Sequence, residues 1–169
     1  MVEWGCSMEN LEMSKRFWKD RVVFLTGHTG FKGGWTALWL THLGAKVYGF
    51  SLEPPTNPSF YKEVGIEDII FKSVIGDICN LENLSQEMKA SKASVVIHMA
   101  AQPLVRDSYT YPVETFKTNI MGTINILESA RKAETVRAVL NITTDKCYEN
   151  KEWVWAYREN DRLGGHDPY

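Results

Sequence analysis

Arg21-Val-Val-Phe-Leu-Thr-Gly-His-Thr-Gly-Phe-Lys-Gly-Gly34 reads as a short apolar strand, a glycine turn and the start of a helix. Val22 to Leu25 are β-branched or large apolar residues, which suits a buried parallel strand. Gly27, Gly30 and Gly33 give the spacing G-x-x-G-x-x-G. In a dinucleotide site one glycine lets the chain turn sharply, one lets the backbone approach a pyrophosphate, and one lets the helix pack close to the strand. The anion then sits at the helix N-terminus, among unpaired N–H groups and the positive end of the dipole. Glycines at this spacing also occur in turns of other βαβ units. The flanks add weight, because Phe31, Trp35, Leu38, Trp39 and Leu43 recur at helical spacing and Gly44 is a natural stop. Ala45 to Phe50 then reads as a second strand, at the distance a βαβ unit requires.

Working outward, the composition restricts the class. Over 169 residues, 19 Lys and Arg against 21 Asp and Glu leave a net charge of −2. That near-balance argues against a dedicated nucleic-acid binder, which carries a basic patch. The length suffices for one domain with its own core. No apolar run reaches the roughly 18 residues a membrane helix needs, and Met1 to Lys19 lacks the apolar centre of a secretory signal. Cys6, Cys79 and Cys147 are far apart and odd in number, so neither a disulfide framework nor a zinc site is expected, and a reducing cytoplasm is the simplest home. His28, His42, His98 and His166 show no metal-ligand spacing. Residues 1–16 carry no motif and read as an N-terminal extension to a partial Rossmann domain over 17–169.

Toward the C-terminus the strand and helix patterns alternate, as a doubly wound sheet requires. Ser51 to Pro58 holds three prolines and must be a loop. In many NAD sites an acid ends the second strand and binds the adenosine ribose; Ser51 holds that place here, with Glu53 just beyond, and His28 and Lys32 could bring positive charge near the phosphates. Ile69 to Ile75 reads as strand three, ending at Gly76-Asp77-Ile78. Asp77 then either meets the ligand or caps the next helix, a role for which Asn80 competes. That helix covers roughly Leu81 to Ala90. Ala93 to His98 is strand four, leaving through Ala100-Ala101-Gln102, with His98 a packed core residue. Pro112 opens a long helix to about Ala133, with Val113, Phe116, Ile120, Ile124 and Leu127 as its expected buried stripe. Asn119 is expected to support the loop after strand five. Val136 to Ile142 is strand five, running into the polar cluster Thr143-Thr-Asp-Lys-Cys-Tyr148 at its carboxyl end, where doubly wound folds place their chemistry. The fold class is thus α/β, a Rossmann-type doubly wound parallel sheet, incomplete at about five strands.

Five segments carry a resemblance: Thr26-Gly-His-Thr-Gly-Phe-Lys-Gly-Gly-Trp35, His98-Met-Ala-Ala-Gln-Pro-Leu-Val105, Thr118-Asn-Ile-Met-Gly-Thr123, Thr144-Asp-Lys-Cys-Tyr148, and Glu152 to Asn160 with the closing Gly164-Gly-His-Asp-Pro-Tyr169. From about Phe17 onward the chain resembles the extended short-chain dehydrogenase/reductase family, and within it the CDP-glucose 4,6-dehydratases. That resemblance implies NAD as cofactor, CDP-glucose as substrate, and subunits that pair in the whole enzyme. It implies that Tyr169 takes the proton from the sugar's 4-hydroxyl, that Thr144 orients that oxygen, and that Asp145 serves as acid for the departing hydroxyl, which requires a raised pKa. Lys146 stands where related dehydratases carry a glutamate base, and either acts as base or positions. Gly27, Gly30, Phe31, Lys32 and Gly33 would line the pyrophosphate. Asp77 and Ile78 would flank adenine. Ala100, Ala101 and Gln102 would lie near the nicotinamide ribose, with Asn119 and Thr143 completing the site. The family carries a lysine four residues after the tyrosine, and the sequence closes at Tyr169. The expectation is therefore that this chain alone turns over little CDP-glucose. Two other readings are a non-catalytic dinucleotide-binding module and a nucleotide-sugar epimerase; Asp145-Lys146 speaks against the latter, which has no water to expel.

Overall fold

The structure, a computed structural model, describes residues 15–169. The expectation for residues 1–16 therefore falls almost wholly outside the described residues. A short helix α1 (Lys15–Trp18) leads into β1 (Val22–Thr26), α2 (Phe31–His42) and β2 (Lys46–Ser51). Next come α3 (Phe60–Val64), α4 (Ile66–Ile69) and β3 (Lys72–Ile75), then α5 (Leu81–Ser91) and β4 (Val95–His98). After α6 (Val105–Thr110), one helical rod is built from α7 (Pro112–Phe116), a π turn (Lys117–Met121) and α8 (Gly122–Lys132). It leads to β5 (Ala138–Asn141) and a 3₁₀ turn (Asp145–Cys147).

All five strands are parallel, in the order β3-β2-β1-β4-β5. The order reverses between β1 and β4, so the carboxyl ends of these two strands form the crevice where a doubly wound sheet takes its ligand. Alternation along β1 divides the core in two. Phe24 points to one face, with Tyr48, Phe50 and Val96, under Leu84 and Met88 of α5 and Ile126 and Ala130 of α8. Val23 and Leu25 point to the other, under Ala37 and Leu40 of α2 together with Tyr61 and Ile66. Phe24, Leu25 and Ile126 are fully buried. Each such side chain contributes about 1.5–3 kcal/mol by leaving water. Trp18 packs against this second face, while Phe17 stays half exposed.

Three elements depart from the sequence reading. Ile69 ends the turn of helix α4 and strand three begins only at Lys72; Ser59 caps the preceding helix through Lys62 N–H, and the left-handed Gly65 starts the next. The aromatic stripe of α2 faces outward: Phe31, Trp35 and Trp39 are 67%, 54% and 58% exposed. Its buried face is Gly33, Gly34, Ala37 and Leu40, because the helix lies too close to the turn beneath it for larger side chains. On the long rod, Val113, Phe116, Ile120, Ile124 and Leu127 are all exposed. The face that packs on the sheet and α5 is Gly122, Asn125, Ile126, Ser129 and Ala130.

Candidate functional site

The three glycines of the first turn have three separate environments. Gly27 has φ +77°, and a Cβ there would meet the Ala100 nitrogen at 2.9 Å and the Met99 carbonyl at 3.0 Å. A Cβ on Gly33 would sit 1.9 Å from the Gly27 oxygen, so this position sets the close packing of α2 on the turn. Gly30 differs: it caps α2, and its Cβ would meet only the Gly27 oxygen, at 3.4 Å. The space over Gly30 is open. Beyond it lie the N–H groups of the first turn of α2, which have no acceptor within the helix and form an anion cradle. Lys32 is exposed on that turn. The helix N-terminus and the Lys32 ammonium give this turn the charge that suits an anion.

His28 does not add charge to it. The side chain is fully buried over Gly49, with Nε2 at 2.8 Å from the Ser73 hydroxyl, which also meets the Tyr61 hydroxyl at 2.8 Å. Burial pushes its pKa down to about 4, so the ring is neutral at pH 7. Ser51 is engaged as well. The Thr29 hydroxyl donates to the Leu52 carbonyl at 2.8 Å and so accepts from Ser51, also at 2.8 Å. Glu53 lies exposed beyond it.

The exits of β1 and β4 are bound to each other. The Thr26 hydroxyl oxygen accepts the N–H groups of Met99 (3.0 Å) and Ala100 (3.1 Å). Its own proton is left for His98 Nδ1, 2.7 Å away, which assigns the ring proton to Nε2. That Nε2 donates to the Thr123 hydroxyl at 3.2 Å, and Thr123 donates to the Asn119 carbonyl at 2.7 Å. Burial holds His98 at about 4 as well. It is a packed core residue, as the sequence reading has it, held at both ring nitrogens by hydrogen bonds.

The long helical rod supports both remaining exits. Asn119, in the π turn, accepts the Gln102 N–H at 2.8 Å and donates to the Gln102 carbonyl at 3.1 Å. It therefore braces the loop after β4, not the loop after β5, since the rod's sheet-facing side lies under β4. Asn125 donates to the Ile78 carbonyl at 3.0 Å. Ile78 is itself a correction: its side chain is 4% exposed and belongs to the core, against Gly122, so only its backbone can flank a base. Asp77 is exposed, and one oxygen accepts the Cys79 N–H at 2.8 Å. Asn80, not Asp77, caps α5, accepting from Asn83 N–H at 3.1 Å. Thr26, Thr123 and Asn125 were missed in sequence. A hydroxyl at the last strand position before a glycine turn was the one available signal, for Thr26.

The exit of β5 lies beside that of β4, with the Ile142 N–H donating to the His98 carbonyl at 3.0 Å. Thr143 is exposed and Thr144 half-buried, and the Thr144 hydroxyl accepts from Lys146 N–H at 3.3 Å. The Asp145 side chain lies outside the described residues. Lys146 Nζ stands 3.7 Å from Asp167 Oδ2, and the other Asp167 oxygen accepts the Tyr169 N–H at 3.0 Å. Lys146 and Tyr169 are thus joined through one carboxylate, while Ala100, Ala101 and Gln102 line the neighbouring exit.

These features define a nucleotide-binding fold of Rossmann type, and comparison with known proteins narrows it. The profile of the GDP-mannose 4,6 dehydratase family matches residues 24–169, and the chain belongs to that family. It is 52% identical over 157 residues to CDP-glucose 4,6-dehydratase of Salmonella typhimurium, covering 93% of this chain and 44% of that protein. Among solved structures, UDP-glucose 4-epimerase of Stenotrophomonas maltophila with bound NAD superposes with a TM-score of 0.74 at 23% identity, over 88% of this chain and 44% of that one. MoeE5 in complex with UDP-glucuronic acid and NAD gives 0.70 at 26% identity, over 87% and 44%. The chain spans less than half the length of each of these relatives.

Proposed function

We propose that residues 17–169 form the NAD-binding domain of a nucleotide-sugar dehydratase that converts CDP-glucose to CDP-4-keto-6-deoxyglucose and water. The observation that carries this reading is the 52% identity to the Salmonella enzyme, supported by a glycine turn at the N-terminus of α2 where a Cβ on Gly30 would meet only the Gly27 oxygen. Gly27, Gly30, Phe31, Lys32 and Gly33 would hold the pyrophosphate. Asp77 and the Ile78 backbone would flank adenine. Ala100, Ala101, Gln102 and Thr143 would border the nicotinamide end, with Asn119 acting through Gln102.

When bound, NAD⁺ accepts hydride from a sugar carbon and later returns it. The chain's own residues handle protons and position. Tyr169 takes the proton of the 4-hydroxyl as hydride leaves carbon 4, and Thr144 holds that oxygen by a hydrogen bond. The resulting 4-keto group acidifies the hydrogen on carbon 5. Asp145 protonates the hydroxyl leaving carbon 6 while the carbon-5 proton passes to solvent, so that water departs across carbons 5 and 6; hydride then returns to carbon 6 and a proton to carbon 5. The chain spans 44% of the length of the Salmonella enzyme. On its own it is expected to bind the cofactor and turn over little substrate.

Isothermal titration of the chain with NAD⁺, and in parallel with NADP⁺, tests the reading. Saturable binding of NAD⁺ that is lost in Gly30→Val supports it. Absence of binding by the folded protein overturns it.

A further inference from the structure

Lys146 and Tyr169 reach their places by different routes. Lys146 follows β5 directly, whereas Tyr169 closes a long excursion. The neck of that excursion is fixed by an antiparallel bridge between Tyr148 and Leu163, made of two backbone hydrogen bonds, Glu149 N–H to the Arg162 carbonyl (2.9 Å) and Gly164 N–H to the Cys147 carbonyl (3.0 Å). Within it Tyr148 stacks on Tyr157 at 5.2 Å, and Trp153 leans on the same ring. A polar hollow of about 340 Å³ opens at the neck, lined by Lys146, Tyr148, Tyr157, His166 and Asp167. The Asp167 side chain is 15% exposed there, against 46% for Lys146.

We propose that Asp167 is a positioning residue of the dehydratase reaction, holding Lys146 as a fixed cation and the Tyr169 backbone in one register. This rests on the function proposed above. The geometry carries it: one oxygen faces the Lys146 ammonium at 3.7 Å and the other accepts the Tyr169 N–H at 3.0 Å. A lysine ion-paired in this way has three donors and no lone pair. It supplies positive charge beside the site of water loss and does not abstract a proton. Of the two roles open to Lys146 in the sequence, base or positioner, the structure favours the second.

The test reads Lys146 itself. Brief acetylation of the protein with acetic anhydride, followed by peptide mass spectrometry, gives the modification of Lys146 relative to the exposed Lys62. Asp167→Asn is expected to raise that ratio about two- to fivefold, the worth of a partly exposed ion pair, and Asp167→Glu to keep it near the starting value. Should Asp167→Asn fail to fold, the unaltered protein decides: molar sodium chloride screens the pair and raises the ratio. An unchanged ratio in the folded variant, or in salt, overturns the proposal. With CDP-glucose and NAD⁺ in an active preparation, Asp167→Asn should lower kcat about tenfold with KM unchanged. An unchanged kcat refutes the positioning role. The proposed function is judged separately by the NAD⁺ titration, and where the chain alone turns over little substrate the acetylation ratio decides the pairing.

Discussion

Asn119 holds Gln102 at two points, accepting its N–H at 2.8 Å and donating to its carbonyl at 3.1 Å, so that a π turn on one element fixes the backbone of a loop on another. The loop so fixed leaves β4 at the reversal point of the sheet. Asn119→Ala leaves both Gln102 groups to water, and a stability loss of about 1 kcal/mol is expected. The larger effect falls on binding, since a loosened loop must be reordered by the ligand. Titration with NAD⁺ should show at least a several-fold loss of affinity while the circular dichroism spectrum is unchanged. Asn119→Asp, which accepts but cannot donate, should lie between.

The glycine turn predicts opposite outcomes for two neighbouring substitutions. Gly33→Ala places a methyl 1.9 Å from the Gly27 oxygen, a backbone atom that cannot move aside. It should cost about 3 kcal/mol or more and lower the midpoint of urea denaturation. Gly30→Ala meets only an ordinary 3.4 Å contact, and its stability should stay within about 1 kcal/mol. Its binding of NAD⁺ should nevertheless weaken, because the methyl enters the space over the cradle. Equal stability of the two variants would contradict this arrangement.

His28 and His98 make folding sensitive to acid. Burial lowers both from 6.5 to about 4. The unfolded chain therefore takes up these protons first as pH falls. Their stabilisation is intact above about pH 6.5 and is lost progressively down to about pH 4, at about 1.4 kcal/mol per pH unit per site. The full loss is about 3 kcal/mol for each histidine. Urea midpoints measured from pH 7.5 to 4.5 should fall accordingly, and His98→Gln should flatten the curve by one histidine's share.

The rod's two isoleucines separate its faces. Ile126 is fully buried between α5 and the sheet, and Ile124 is 49% exposed. Ile126→Ala should cost about 2–5 kcal/mol, and Ile124→Ala no more than about 0.5 kcal/mol. Thermal melts of the two variants check this directly.

The contrast shows what was legible in sequence. The five strands, the glycine turn and the two ends of α2 were readable, because they rest on local chemistry: β-branched runs, a left-handed glycine, a proline at a first helical turn. Helix faces were not. A 3.6-residue period reveals a stripe but does not say which way it faces, and on both α2 and the rod the larger apolar stripe points outward. The face that packs is the one made of glycine, alanine, serine and asparagine, because close approach to the sheet admits only small groups or ones that bond to it. In the glycine turn, the sharp bend at Gly27 and the close packing at Gly33 were readable from spacing. Asn119 was read as a loop support but given to the wrong loop, since the exit of β4 that it grips is set by packing and not by anything near it in the chain. Thr26 and Asn125 act through backbone groups far off in the chain, and such pairings have no local signature.

Asn119 and Asn125 stand on the same rod, one gripping the exit of β4 and the other the exit of β3. The two exits are therefore mounted on a common beam. The spacing of the two asparagines along the rod sets how far apart the two loops are held.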